Sequence, residues 1–290
     1  MEQTDPRVIA AVISAIVSIS IFIVASLVKI FWEKYFHNFK LRADHKYEQR
    51  KRIKEAISKH KVSLLNSAES LNHRLWNFSD NCKEGWHIYD DESDLNNMYY
   101  LQSFCYRFLS FFAWSRKIDL EMVYLDSTIS DPEDLEFLKY LKLFPQMFCD
   151  TAMFDGKDYN NRYAKDHIFK DDFLQMVDAM ITENGIITFS EFKSKKDQKE
   201  FENIIDYIGS ISKDSTCLKW HVINAFHFVL MAFLTKFGYD FQQTSKSKLS
   251  KLANKTPKNE VIQNIEEILR RNHLDKAKEI KVATKVLREV

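Results

Sequence analysis

The sequence predicts an all-α fold: an N-terminal transmembrane helix, a long basic helical stalk and a cytosolic helical bundle. Three observations lead there. The 290 residues include only 5 Gly and 4 Pro, about a quarter of ordinary usage, so turns that need φ > 0 are too few for a strand-rich architecture. One uncharged stretch has the length of a bilayer crossing. The composition is 45% hydrophobic and 14% aromatic, enough for a sizeable core, and its apolar residues recur mostly at helical spacing.

Residues 1–7 read as a short extracytoplasmic N-terminus. From Val8 to Val28 the chain runs VIAAVISAIVSISIFIVASLV, 21 residues without a charge. As a helix this covers about 31 Å, matching a hydrocarbon core of about 30 Å. Asp5-Pro6 supplies an N-cap and a proline at the first helical position. A cleavable signal peptide fits less well, because the leader is net acidic and the apolar stretch is longer than such peptides carry. Ala10, Ser14 and Ser18 recur every fourth residue, with Ala11 and Ala15 beside them. Such a small-residue face lets two helices approach closely in lipid, so a homo-oligomer is expected.

Residues 29–80 form the stalk. Between Lys29 and Lys61 stand eleven Lys/Arg against four acidic residues. Positive flanks stay inside, which places the large domain in the cytoplasm and the chain in a bacterial inner membrane as a single-pass protein. Trp32 and Tyr35 fall where an interfacial aromatic belt belongs. Lys29, Lys34, Lys40 and Arg42 are placed for anionic headgroups, each contributing about 1 kcal/mol. The lipid bilayer is therefore the first expected partner. No Gly or Pro interrupts the chain between Pro6 and Gly85, so the helix can continue to about Phe78. Ile53, Ile57, Leu64, Ala68, Leu71 and Leu75 make an apolar stripe along it.

Residues 81–241 read as a cytosolic helical domain. After a polar break at 81–94, the segment 98–119 carries eight aromatics between Tyr99 and Trp114 and reads as a central core helix. Asp131-Pro132-Glu133-Asp134 opens a second helix, with acidic residues at its positive end. Residues 168–180, 197–213 and 217–237 are further helices. The last could span a membrane by length, but Lys219, His221, Asn224 and His227 argue for a buried helix. The Lys/Ser/Thr-rich residues 242–258 read as a linker. Residues 259–290 read as a separable C-terminal helical segment, in which Val261, Ile265, Ile268 and Leu269 form a stripe.

Catalytic and metal motifs are weak. NGIITFSEF (184–192) matches the second half of an EF-hand loop, but the register puts Met180 and Thr182 where carboxylates should stand. Arg162 and His167 have the R-x4-H spacing of HEPN ribonucleases, in which the pair would stabilise phosphorane charge and move a proton. On a regular helix that spacing sets them about 140° apart. His221 with His227, and Cys82 with His87, make no metal set. Cys82, Cys105, Cys149 and Cys217 lack CxxC spacing and read as free thiols in a reducing compartment. No glycine-rich phosphate loop exists, and the sequons at Asn77 and Asn254 would face the cytoplasm. Neither a cofactor, a metal nor nucleic acid is expected.

YEQRKRIKEAI, LNHRLWN, YYLQSFCYRFLSFFAW, VYLD at 123–126 and GIITFSEF together resemble a family of uncharacterised bacterial proteins with one N-terminal span and a helical cytoplasmic domain. Trp114 is the most recognisable position, and Ser115 departs from the pattern, which has an acidic residue there. The resemblance covers roughly residues 1–240 and implies topology and a helical fold, without catalytic residues to carry over. The functional expectation is a non-enzymatic, membrane-anchored interaction or effector protein with a cytosolic protein partner, self-associating through its span, for instance in phage defence. The alternative is a membrane-tethered ribonuclease using Arg162 and His167.

Overall fold

The structure is a computed structural model that describes residues 5–89, 94–157, 159–160, 162–163, 165–195, 199–256 and 260–289. With 78% of residues helical and 1% in strands, the fold is all-α as predicted. The chain divides into two units, Met1–Arg52 and Ile53–Val290.

Helix α1 (Pro6–Asn81) is 76 residues long and passes through both units. The Asp5 carboxylate accepts the Arg7 N–H at 3.0 Å, and the Asp5 carbonyl accepts from Val8 and Ile9. Three helix-start groups are thereby satisfied, and Pro6 has no donor to satisfy. In the first unit α1 buries no side chain. In the second it buries Ile53, Ile57, Leu64, Ala68, Leu71, Leu75 and Phe78, each at most 3% exposed. The predicted stripe is therefore a core face. The stalk drawn over 29–80 needs correction: its second half is a core helix, because an apolar stripe of that length must be covered.

The second unit continues with α2 (Tyr99–Glu121), α3 (Pro132–Cys149) and α4 (Lys170–Asp178). A two-stranded antiparallel hairpin follows, β1 (Ile181–Thr182) and β2 (Gly185–Ile186), pairing Ile181 with Ile186 and Thr182 with Gly185. Then come α5 (Phe189–Lys195), α6 (Lys199–Gly209) and α7 (Leu218–Phe237). The core is aromatic. Phe226 on α7 lies 5.0–6.2 Å, ring centre to ring centre, from Phe108, Phe111, Phe112, Phe144 and Phe148, mostly edge to face. Such pairs add about 0.5–1.5 kcal/mol each beyond their buried area.

Helix α7 is 83% buried over its most apolar window. Its polar side chains each find a protein partner, although His221 Nδ1 has none. His227 Nε2 is 2.9 Å from Asn72 Oδ1, His221 Nε2 is 3.0 Å from the Ser215 carbonyl, and Asn224 donates to the Trp220 carbonyl at 2.7 Å. Lys219 reaches Ser210 Oγ at 2.7 Å.

The tail is also corrected. Within the predicted linker, α8 (Lys246–Ala253) starts at Ser245, whose Oγ accepts the Lys248 N–H. Leu249, Leu252 and Ala253 pack with Phe228, Met231 and Val286. Helices α9 (Glu260–Arg271) and α10 (Lys278–Glu289) bury Val261, Ile265, Ile268, Leu269 and Ile280 in the main core. The segment after 242 is not separable, because it covers apolar surface of α7.

Candidate functional site

Among the described residues, the uncovered part of α1 and a cleft in the second unit are surfaces that could engage other molecules. Between Val8 and Val28 every large apolar side chain is 48–73% exposed. Thirteen such side chains uncovered in water would cost on the order of 20 kcal/mol, more than a typical fold's whole stability. Ala10, Ala11, Ser14, Ala15 and Ser18 are all exposed on this stretch. Lys29 pairs with Glu33 at 3.9 Å, and Lys34, Lys40 and Arg42 are exposed. Trp32 and Tyr35 are 69% and 73% exposed and share a shallow apolar groove with Val24, Leu27, Val28 and Phe31. The structure adds Phe31, Phe36 and Phe39 to the exposed aromatics. They lie beyond Lys29, the first charge after the uncharged stretch, so hydropathy alone does not single them out.

The cleft holds about 880 Å³ between α2, α3, α4 and the end of α9. Phe112, Leu138, Leu141, Phe173 and Val177 form its floor. Ser115 is buried in its wall. Charges ring the mouth. Arg116 is neutralised by Asp119 at 3.0 Å and Asp178 at 3.1 Å, and Arg271 by Glu267 at 3.0 Å. The Asp150 carboxylate accepts the Ala152 N–H at 2.9 Å. Burial pushes the Cys149 thiol up to about 12, with Lys170 opposing, so it stays protonated near neutral pH. The cleft offers apolar contact and the ammonium groups of Lys142 and Lys170 rather than an activated nucleophile. Its residues come from four separate elements, and no spacing in the sequence announces them.

The sequence-derived catalytic pair is not assembled among the described contacts. Arg162 and His167 lie in an irregular segment rather than on a helix, with Arg162 exposed. His167 is buried, its Nδ1 2.6 Å from Tyr159 Oη and its ring 5.2 Å from Phe169. Burial lowers its pKa, with Asp166 opposing. This is the environment of a histidine that fastens a loop.

At the EF-hand-like segment, Lys117 Nζ donates to the Thr182 carbonyl at 3.0 Å and the Glu183 carbonyl at 3.4 Å. Glu191 turns back to accept the Thr188 N–H at 2.6 Å, while Thr188 Oγ1 accepts the Glu191 N–H at 3.3 Å. This reciprocal capping box starts α5. Gly185 packs against Trp114, whose indole stands 5.7 Å from the His60 ring. Cys82, Cys105, Cys149 and Cys217 are free, and no His/Cys/Asp/Glu group among the described residues has metal-binding geometry.

Comparison with protein-family models, curated proteins and solved structures finds no match.

Proposed function

We propose that this chain is a single-pass membrane protein, like the family it resembles. Its residues 8–28 cross the bilayer, and its helical unit from Ile53 onward stands on the cytoplasmic side and engages a protein partner. The single observation that carries the reading is the contrast between the two apolar helices. The best window of α7 is 83% buried by the protein itself, whereas that of α1 is 0% buried. A bare helix with 21 uncharged residues needs a covering of its own length, and a hydrocarbon layer supplies it. The basic run from Lys29 to Lys61 sets the orientation and draws the helix toward anionic headgroups. The small-residue face through Ala10, Ser14 and Ser18 supports self-association, so the chain acts at the membrane as an assembling interaction or effector protein without chemistry of its own.

Alkaline carbonate extraction of membranes from expressing cells tests the anchor. The full chain is expected in the pellet, and a chain lacking residues 8–28 in the supernatant. A full chain released by carbonate would overturn the reading, as would a C-terminal reporter active only in the periplasm.

A further inference from the structure

Arg74, on α1, is 8% exposed, a depth at which arginines are almost always paired with a carboxylate. Its Nη2 donates to Ser103 Oγ at 2.8 Å, and its guanidinium lies 4.3 Å from the centre of the Tyr100 ring. Its Nε and the buried Tyr100 hydroxyl find no partner in good hydrogen-bonding geometry, although the two side chains interact: burial raises the Tyr100 pKa and the Arg74 guanidinium opposes it. Arg107 is half-buried nearby on α2, and its contact is a long one, to the Ser70 carbonyl at 3.4 Å. The two cations feel each other: burial, and then the charge of Arg74, push the Arg107 pKa down. Among the described residues neither forms an ion pair.

Magnitudes make this arrangement incomplete. A desolvated cation–π contact returns about 2 kcal/mol, whereas taking a charged group out of water costs several kcal/mol even after relaxation. Repulsion between two guanidiniums adds to the deficit. A dianion would offset both charges at once and accept from the free fork nitrogens, which suits a phosphoryl group better than a single carboxylate. At the rim, Trp86 is 51% exposed with its ring 5.7 Å from that of Tyr100, and Tyr99 is 62% exposed, leaving apolar surface for whatever carries the phosphate.

We infer that Arg74 and Arg107, with Tyr100 and Trp86 beside them, form a binding site for a phosphoryl group. The inference is independent of the membrane reading, since all four residues lie in the second unit.

The test is calorimetric titration of the full chain in detergent with three probes: inorganic phosphate, uridine monophosphate and a water-soluble short-chain phosphatidic acid. At least one should bind and raise the unfolding temperature, and the tightest identifies the natural source of the phosphate. Arg107→Met should weaken that binding at least about tenfold, the loss of one charge-assisted contact. In phosphate-free buffer the same variant should melt no lower than wild type, because it relieves a like-charge repulsion. A merely structural arginine would lower the melting temperature instead. If Arg107→Met fails to fold, Arg107→Lys keeps the charge without the fork and should bind with intermediate affinity. The proposal fails if no probe binds, or if Arg107→Met and Arg107→Lys bind as well as wild type.

Discussion

His227 sits 1% exposed on α7 with its Nε2 facing Asn72 Oδ1, and burial holds its pKa down at about 3 against the ordinary 6.5. Between those values the unfolded chain binds a proton that the folded chain refuses, so stability rises with pH across that window. The contribution is complete above about pH 6.5 and is lost as the pH falls toward 3. His60, His87, His167 and His221 are shifted in the same direction, each chiefly by burial. The urea midpoint of the full chain in detergent should therefore fall between pH 7 and pH 5. His227→Gln keeps a donor for Asn72 but does not titrate, so its midpoint should fall less steeply. Equal slopes for the two proteins would refute this account. The sequence places His221 and His227 six residues apart, but nothing in it points to Asn72, 155 positions away. The same distance blindness hid Arg74 and Arg107: each is an ordinary helical arginine until the fold brings Arg74 against Tyr100 and Ser103, on the helix that carries Arg107.

At the scale of elements, legibility followed the strength of periodicity. The stripe from Ile53 to Leu75 was readable because apolar residues recur at three- or four-residue spacing over six turns, with one seven-residue gap across His60, and all six of its residues are buried. What it packs against was not readable, so a core helix passed for part of a stalk. Helix α3 announced itself through Asp131-Pro132 and two acids in its first turn. The hairpin escaped because each strand is two residues long, too short for any alternation. Helix α8 escaped because its lysines and serines resemble linker composition and it has only Leu249, Leu252 and Ala253 to bury. Those three suffice once Phe228 and Met231 lie beneath them. Leu252 is fully buried, so Leu252→Ala should cost about 2–5 kcal/mol of unfolding free energy, read from denaturant midpoints. A separable linker would tolerate the change without measurable loss, so a shift under about 0.5 kcal/mol would show that α8 does not belong to the core.

At the scale of the whole molecule, the uncharged helical stretch from Val8 to Val28 was the most legible feature, since its length and lack of charge are local properties that no tertiary contact alters. The cleft beside Ser115 was the least, being assembled from α2, α3, α4 and the end of α9. Membrane insertion removes the hydrophobic drive between helices, because lipid tails are as apolar as leucine, and leaves close packing as the main source of association. Ser14 stands at the middle of the longest small-residue row on the span, with Ala10 and Ser18 one turn to either side. A leucine there adds a branched side chain at the point of closest approach and forces the two backbones apart. Association should weaken by on the order of 1–2 kcal/mol, roughly five- to thirtyfold. Sedimentation in mild detergent at matched protein-to-detergent ratios would read it as a shift toward monomer. Ile16→Leu serves as the control, because Ile16 projects about 200° round the helix from Ser14 and should leave the equilibrium unchanged. If both variants dissociate equally, the small-residue face is not the contact. If wild type is monomeric at every ratio, the span is a solitary anchor and any assembly must come from the helical unit.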